Sequence, residues 1–230
     1  MEQGKVIEAL KQVRNKKRNF SQAVDLVVSL KGIDLKKPEQ QVDFFITLQN
    51  NPGRKAKIAA LVAQELASEA KNVCDTVILQ DEFARYVKDK KALKKLVREH
   101  AYFIGQANIM PQVATVFGRA LGPRGKMPNP KAGCIVPPKA SLKPLYSKLQ
   151  NTIRVVAKTS PVVHCKIGNE AMTDEQLAQN FSTVYNQLIH SLPNGEANVK
   201  AAFLKLTMGK PVSLLAKQSE GKSQKPEGAK

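Results

Sequence analysis

One loop of the sequence interleaves cationic side chains with glycines and prolines at close spacing. It runs from Gly118 to Gly133 and reads GRALGPRGKMPNPKAG. Its cations are Arg119, Arg124, Lys126 and Lys131. Proline fixes the backbone, so such a loop can hold cations in place at a low cost in conformational entropy. Fixed cations suit phosphate binding, and a rigid structural loop is the other interpretation.

The loop lies within a stretch that has no carboxylates. Residues 100–169 contain no Asp or Glu, although the chain has 19 acidic residues in total. Solubility tolerates mixed charge, whereas a carboxylate near phosphates adds repulsion. General acid–base catalysis needs positioned proton-transfer groups, and this stretch offers no pair of that kind. The pattern therefore favours polyanion binding over bond-making chemistry.

An enzyme that acts on a nucleotide is the rival interpretation, because the loop follows a βα-type segment. However, the loop contains neither GxGxxG nor GxxxxGK[ST], and its prolines remove backbone donors that a phosphate cradle would use. A third possibility is a general basic coat protein that binds nucleic acids without preference.

The composition supports a nucleic-acid partner ahead of an acidic membrane surface. The 230 residues include 37 Lys and Arg, which gives a formal net charge of +18. No stretch reaches the ~18 apolar residues of a membrane-spanning helix. The start, MEQGKVIEALKQVRNKKRNF, lacks the apolar core of a secretory signal. These features predict a cytoplasmic protein.

The three cysteines predict free thiols in a reducing compartment. Cys74, Cys134 and Cys165 are far apart in the sequence, and no CxxC pair is present. No histidine lies at zinc-ligand spacing from a cysteine pair. We therefore expect no metal site and no cofactor.

Two further basic segments have plainer interpretations. Residues 85–98 carry seven Lys or Arg with apolar residues at near-helical intervals, which is typical of a solvated helix face, although an RNA contact is equally compatible. Residues 217–230 are polar and contain Gly and Pro, so we expect a disordered basic tail.

The periodicity of apolar residues changes twice along the chain. Both ends combine alternating strands, such as SQAVDLVVSL and VKAAFLKLTM, with amphipathic helices. The middle contains nearly continuous apolar runs separated by helices, which is typical of βαβ units. We predict an α+β outer domain, with an antiparallel sheet and helices, from residues 1–63 plus 156–216. Residues 64–155 would form an inserted α/β domain of three-layer, Rossmann-like type.

The run Leu121-Gly122-Pro123-Arg124-Gly125-Lys126-Met127-Pro128-Asn129-Pro130 resembles the signature of the ribosomal protein L-one family, the universal large-subunit protein of the mobile stalk. Other matches follow in order along the chain. They are Asn19-Phe20, Gly32-Ile33-Asp34, Lys158-Thr159 with His164, and Leu206-Thr207-Met208-Gly209. Lys126 and Pro137-Pro138 are closer to archaeal members than to bacterial ones. Lys210 departs from the family pattern, in which proline often follows the glycine directly.

The resemblance implies a non-catalytic protein, monomeric when free, whose outer domain carries the main RNA surface. The implied RNA-binding residues are Asn19, Phe20, Asp25, Lys158, His164, Thr207, Met208 and Gly209. The cationic loop would be a secondary contact. The implied partners are large-subunit ribosomal RNA of the stalk, the exit-site tRNA whose release the protein assists, and its own messenger RNA, which it represses.

Several of these residues also have ordinary structural interpretations. Phe20 could pack on ribose or base, but a phenylalanine is more often a core anchor. Thr207 could bond a 2′-OH or phosphate, or simply end a strand. Asp25 could accept a hydrogen bond from a base amine or a 2′-OH, and an isolated histidine such as His164 is more often structural.

Overall fold

The computed structural model describes residues 3–14, 18–53 and 55–214. The predicted basic tail, residues 217–230, lies outside the described residues. The α-helices are α1 Gln3–Val13, α2 Ala67–Val73, α3 Phe83–Lys88, α4 Lys90–Glu99, α5 Met110–Leu121, α6 Leu142–Asn151 and α7 Asp174–Ser191. The strands are β1 Ala23–Leu30, β2 Val42–Thr47, β3 Ile58–Val62, β4 Thr76–Leu79, β5 Tyr102–Gln106, β6 Ile135–Val136, β7 Thr152–Ala157, β8 Val162–Asn169, β9 Val199–Leu206 and β10 Val212–Ser213. In these residues, no helix has the length and apolar character needed to cross a bilayer.

The chain divides into two compact units. Residues 1–42 and 157–230 form one, here called the terminal unit, and residues 43–156 form the other, the central unit. The sequence places the first boundary later, after residue 63. Strands β2 and β3 explain the difference, because β2 pairs with β7 and β3 hydrogen-bonds to β4 and β5 of the central sheet. Whether the units are independent domains stays a prediction.

The terminal unit contains an antiparallel sheet with the strand order β10-β9-β1-β8. Strand β1 alternates strictly between buried and half-buried residues, as the sequence predicts. Val24, Leu26 and Val28 are at most 2 % exposed, and they face the side on which α1 and α7 pack. In the part of the chain that the structure describes, no helix of this unit lies over the opposite face of the sheet, whose β1 residues are half-buried.

Helix α7 begins at a capping box that fixes its start. The Thr173 side chain accepts from the backbone N–H of Gln176, and the Gln176 side chain accepts from the backbone N–H of Thr173. A cap of this kind satisfies amide donors that the first turn leaves unpaired. The helix buries Phe181 and Tyr185, whose rings stack at a centroid distance of 5.5 Å. This packing closes the core under the sheet.

The central unit contains a parallel sheet with the strand order β4-β3-β5-β6. All five residues of β3 are buried, as expected for a strand that is covered on both faces. One apolar cluster joins the sheet to α2 and α6, and another joins it to α3, α4 and α5. This is the three-layer α/β arrangement that the sequence predicts for the middle of the chain.

The basic run 85–98 forms α3 and α4. Helix α4 buries Leu93, Leu96 and Val97, while its lysines are exposed. Its first turn is capped by Asp89, which accepts from the backbone N–H groups of Lys91 and Ala92. The run is therefore an amphipathic helical segment, which agrees with the helix-face interpretation.

Candidate nucleic-acid interface

The uncovered face of the terminal sheet carries polar and cationic side chains. Asp25 on β1 lies opposite Lys166 on β8 and Lys205 on β9. Directly opposed residues have Cβ atoms about 4.5–5.5 Å apart, so both ammonium groups can reach the carboxylate. The Asp25 Oδ2 is also 3.7 Å from Nε2 of His164. One acid thus lies among two lysines and a histidine, and the face has an excess of positive charge.

The burial of this group differs from residue to residue. The Asp25 side chain is only 16 % exposed, whereas the His164 side chain is 61 % exposed. An exposed imidazole beside a shielded carboxylate is oriented toward solvent, where a ligand can contact it. His164 is therefore a surface residue, contrary to the structural interpretation that an isolated histidine suggests.

Two large apolar side chains are exposed at one end of this sheet. Phe20, just before β1, is 50 % exposed, and Met208, just after β9, is 60 % exposed. Exposing a large apolar group is costly in water, so such groups commonly mark a contact surface. Phe20 is not a core anchor, which was the alternative that its residue type suggested.

Backbone contacts hold these two segments together. The Ala23 backbone N–H donates to Thr207 Oγ1 at 3.0 Å, and the Thr207 N–H donates to the Ala23 carbonyl at 3.1 Å. The Met208 N–H donates to Gln22 Oε1 at 3.2 Å. The Gln22 side chain is fully buried and donates to Glu170 Oε2 at 3.1 Å. Gln22 therefore positions Met208, a role that no sequence signal had indicated.

The turn after β9 is closed by a bond from the Gly209 N–H to the Leu206 carbonyl at 2.9 Å. Lys210 follows this turn and is exposed. The chain then pairs Val212 with Leu204 as β10. The extra lysine therefore leaves strand pairing intact and adds a cation beside Met208.

A groove of about 510 Å³ lies beside Phe20 in the terminal unit. Arg14, Arg18 and Asn19 line it together with Phe20. The Arg14 guanidinium donates to Asp174 Oδ1 at 2.7 Å and to the carbonyls of Glu170 and Met172 at 2.9 Å. Arg14 thus fixes the turn before α7, and exposed Arg18 is the groove cation nearest to Phe20 in sequence.

Lys158 lies apart from this cluster. It is exposed in the bend between β7 and β8, at the sheet end where Ser29 pairs with Val162. Phe20 lies beyond the other end of β1, and six residues of strand correspond to about 20 Å. The structure therefore brings together Asn19, Phe20, Thr207, Met208 and Gly209, places Asp25 and His164 on the adjoining face, and separates Lys158.

The sequence did not single out Arg18, Lys166 and Lys205 as contacts. Lys166 and Lys205 share a face with Asp25 because strand side chains alternate. The alternation in VVHCKIG and VKAAFLKLTM shows that each lysine lies on the polar face of its strand. Only the strand order shows that both strands flank β1 and so place the two lysines beside Asp25.

The cationic loop of the central unit is held by a residue outside it. The Arg154 guanidinium donates to both carboxylate oxygens of Asp43 at 2.9 Å and to the Gly125 carbonyl at 2.7 Å. Gly125 has a φ of +63°, and a Cβ there would collide with Nη1 of Arg154. The glycine of the signature is thus required by both its backbone conformation and its packing.

Lys126 has a structural role within the loop. Its Nζ donates to the carbonyls of Val97 at 2.8 Å and His100 at 2.6 Å, which lie at the C-terminal end of α4. A cation there satisfies carbonyls that the helix leaves unpaired and complements the helix dipole. Among the loop cations, Arg119, Arg124 and Lys131 are exposed.

A cleft of about 1080 Å³ lies at the amino ends of β3 and β5. Cations predominate in its lining, with Glu99 as the acidic exception. They are Lys55, Lys57, Lys95, Arg98, Arg124, Lys126 and Arg154. Open parallel sheets bind nucleotides at the carboxyl ends of their strands, so the cleft lies at the wrong edge for a nucleotide-dependent enzyme.

At the carboxyl ends of the same strands, the polar side chains hydrogen-bond to one another and to the backbone. The buried Gln106 accepts from the Ala63 N–H at 2.9 Å and donates to Glu65 Oε2 at 3.3 Å. Gln64 donates to Asp81 Oδ2 at 3.1 Å. These polar groups satisfy one another, which favours a structural edge over a catalytic one.

The cysteines are buried free thiols. Burial raises the pKa of Cys74 and Cys134 to about 11, with nearby carboxylates adding to the effect at Cys74. Burial, helped by the Asp25 charge, raises the pKa of Cys165 to about 12. Such thiols stay protonated at neutral pH, and thiolate nucleophiles need the opposite shift. No cluster of His, Cys, Asp or Glu in residues 3–14, 18–53 and 55–214 could hold a metal ion.

Comparisons with known proteins agree on one family. Residues 10–210 match the model of the "Ribosomal protein L1p/L10e family". A "Large ribosomal subunit protein uL1" from Methanothermococcus thermolithotrophicus is 40% identical over 93% of this chain and 99% of its own length. Proteins of the same name from Pyrococcus abyssi and Methanocaldococcus jannaschii are 38% and 36% identical over 91% and 96% of this chain, and 95% and 100% of their own lengths.

Proposed function

The chain belongs to the ribosomal protein L1p/L10e family, and from this membership we propose that its terminal unit binds ribosomal RNA of the mobile stalk. It is a structural protein of the large ribosomal subunit, not an enzyme, and its place is the cytoplasmic ribosome.

The observation that carries the proposal is the exposure of Phe20 and Met208 at the end of a cationic sheet face. RNA junctions present unstacked bases, which pack on exposed apolar and aromatic side chains. The cations of the face supply affinity for the backbone through counterion release. Exposed apolar groups and cations on one rigid surface therefore suit a folded RNA better than either feature would alone.

Specificity in this scheme comes from the polar groups between the cations. Asp25 cannot attract phosphate, so its value lies in accepting a hydrogen bond from a base amine or a 2′-OH. His164 lies 3.7 Å away and can donate or accept beside it. The proposed contacts are Asn19, Phe20, Asp25, His164, Thr207, Met208 and Gly209, with Arg18, Lys166 and Lys205 added from the structure.

Lys158 and the cationic loop are assigned to secondary contacts. Lys158 lies about 20 Å from the main cluster, so it would contact the RNA backbone at a separate point. In the loop, Arg124 and Lys131 are exposed and Arg154 fixes its backbone at Gly125. A phosphate contact by this loop would be unaffected by which bases the RNA carries.

Two functions of the bound complex are proposed from the family resemblance alone. One is assistance in the release of deacylated tRNA at the exit site. The other is repression of translation through a site in the protein's own messenger RNA that imitates the ribosomal one. If both RNAs use the Phe20 and Met208 surface, they must compete for it.

A binding titration with an isolated stalk RNA fragment tests the proposal. The fragment should bind more tightly than bulk tRNA at every salt concentration, because shape recognition adds to the electrostatic attraction. The messenger fragment should displace the stalk fragment in direct competition. Equal affinity for stalk RNA and tRNA would instead indicate a general basic coat protein.

A further inference from the structure

The central unit has an apolar groove whose floor the proposed RNA function does not use, although Arg124 on its border also belongs to the cationic loop. It has a volume of about 570 Å³ and lies where α3, α4 and α5 meet. Apolar side chains of these helices form its floor. They are Val87, Val116 and Ala120, with the buried Leu93 and Val97 beneath them. Among the large apolar side chains in the described part of this unit, only Val87 is exposed, at 56 %.

The border of this groove is cationic. Its lining includes Lys90 and Lys94 on α4, Arg119 on α5 and Arg124 in the loop. The residues lining it, all within the described part of the chain, include no Asp or Glu. An apolar floor with a cationic border complements a ligand that is apolar on one side and acidic on the other.

We propose that this groove binds an acidic amphipathic helix of a partner protein. Leucine-type side chains at i, i+3, i+4 and i+7 would fill the floor, and the acidic residues that flank them would lie against the four cations. Burying Val87 on binding removes an exposed apolar side chain from water, which supplies a favourable term independent of charge.

The floor of the groove is a poor surface for RNA. Proteins bind single-stranded or junction RNA by stacking its bases on exposed aromatic rings. The aromatic residue of this groove, Tyr86, is half-buried and its ring packs against Phe117 at a centroid distance of 5.6 Å. The remaining floor is aliphatic, and it matches aliphatic side chains better than bases.

The test uses a synthetic peptide and the full-length protein. The peptide has about 16 residues, with leucine at the i, i+3, i+4, i+7 positions and glutamate or alanine elsewhere. Its binding is followed by fluorescence anisotropy. We expect saturable binding that weakens about tenfold for the Lys90→Glu/Lys94→Glu variant and also weakens for Val87→Asp. A scrambled peptide of equal composition should bind at least about tenfold more weakly than the patterned one.

A matched variant separates the groove from general charge. Lys91→Glu/Lys95→Glu changes the same charge on the same helix, but neither residue lines the groove. This variant should bind the peptide within about twofold of the wild type. All four lysines are exposed, so circular dichroism melting should show that both double variants fold normally.

Three outcomes would overturn the proposal. The first is equal loss of peptide binding in both double variants, which would indicate non-specific attraction. The second is no saturable binding of the patterned peptide to the wild type, and if stalk RNA binding is also lost in Lys90→Glu/Lys94→Glu, nucleic acid is the occupant. The third is concentration-dependent self-association that Val87→Asp abolishes, which would make a second copy of the chain the occupant.

Discussion

Thr207 and Ala23 exchange two hydrogen bonds that join the end of β9 to the start of β1. The Ala23 N–H donates to Thr207 Oγ1 at 3.0 Å, and the Thr207 N–H donates to the Ala23 carbonyl at 3.1 Å. The second bond continues the ladder, while the first uses a side chain where the ladder ends. The hydroxyl that faces the proposed RNA surface is therefore also part of the fold.

Replacing Thr207 by valine should lower the free energy of unfolding. The hydroxyl would be lost and the Ala23 amide would lack its partner, which costs about 1 kcal/mol at a partly exposed position. Thr207→Ser keeps the hydroxyl and is the matched control, with a urea midpoint close to the wild type. Equal midpoints for the valine and serine variants would show that this bond contributes nothing to stability.

Truncating the exposed apolar pair should weaken RNA binding without unfolding the protein. Phe20→Ala and Met208→Ala each remove a side chain that is at least half exposed, so we expect little change in melting temperature. Loss of stacking or packing against a base costs about 1–3 kcal/mol, which is roughly fivefold to 150-fold in affinity for stalk RNA.

Val87→Ala is the control for this pair. Val87 is similarly exposed, at 56 %, but lies in the central unit, so stalk RNA affinity should be unchanged. A large fall in melting temperature for Phe20→Ala or Met208→Ala would instead show that these side chains support the fold.

Gly118 and Gly125, both within the stretch from Gly118 to Gly133, should respond oppositely to alanine. At Gly125, with φ +63°, a methyl group would collide with the Arg154 guanidinium, so Gly125→Ala should destabilise by about 1–3 kcal/mol. Gly118 lies inside α5 with open space where a Cβ would be, so Gly118→Ala should stabilise by up to about 1 kcal/mol. Denaturant unfolding measures both, and effects of the same sign would contradict this account of the loop.

Stability should fall at alkaline pH partly because of Cys165. Its thiol pKa is about 12 in the folded protein against an ordinary value of 9.0. Below pH 9 the thiol is protonated in both the folded and the unfolded state, so the stability of the protein does not depend on the titration of Cys165. Above pH 9 the unfolded chain releases the proton first, so the free energy of unfolding falls by up to about 1.4 kcal/mol per pH unit.

The Cys165→Ala variant tests this dependence. It should have a shallower decline of unfolding free energy between pH 9 and 12, the interval that the pKa change defines, while below pH 9 the two curves should run parallel. An unchanged alkaline slope would mean that the thiol is not shielded as the structure indicates.

Much of the fold was predictable because the strands have clear periods. The alternation of β1 and the continuous apolar run of β3 follow from one-sided and two-sided burial. Helix α6 was missed, since Pro144 lies near its start and the surrounding segment is rich in Gly and Pro. Proline is tolerated in a first turn, where its missing N–H has no intrahelical partner. The two-residue strands β6 and β10 are too short for any period.

The candidate site was harder to predict than the fold. Phe20 and Met208 could be named from the family pattern, but their exposure required the structure. Gln22 was missed because a buried glutamine that holds a neighbouring backbone leaves no trace in the sequence. Lys126 has the residue type of a phosphate contact, yet its ammonium caps α4, since the helix C-terminus lies within its reach.

The most direct test of the central claim is the affinity of the protein for stalk RNA relative to bulk tRNA, measured at several salt concentrations. We predict a preference for stalk RNA that persists as salt rises and that disappears in the Phe20→Ala/Met208→Ala double variant. A preference of that kind comes from apolar and base contacts, which salt does not screen. Equal affinity for both RNAs, or an unchanged preference in the double variant, would contradict the claim.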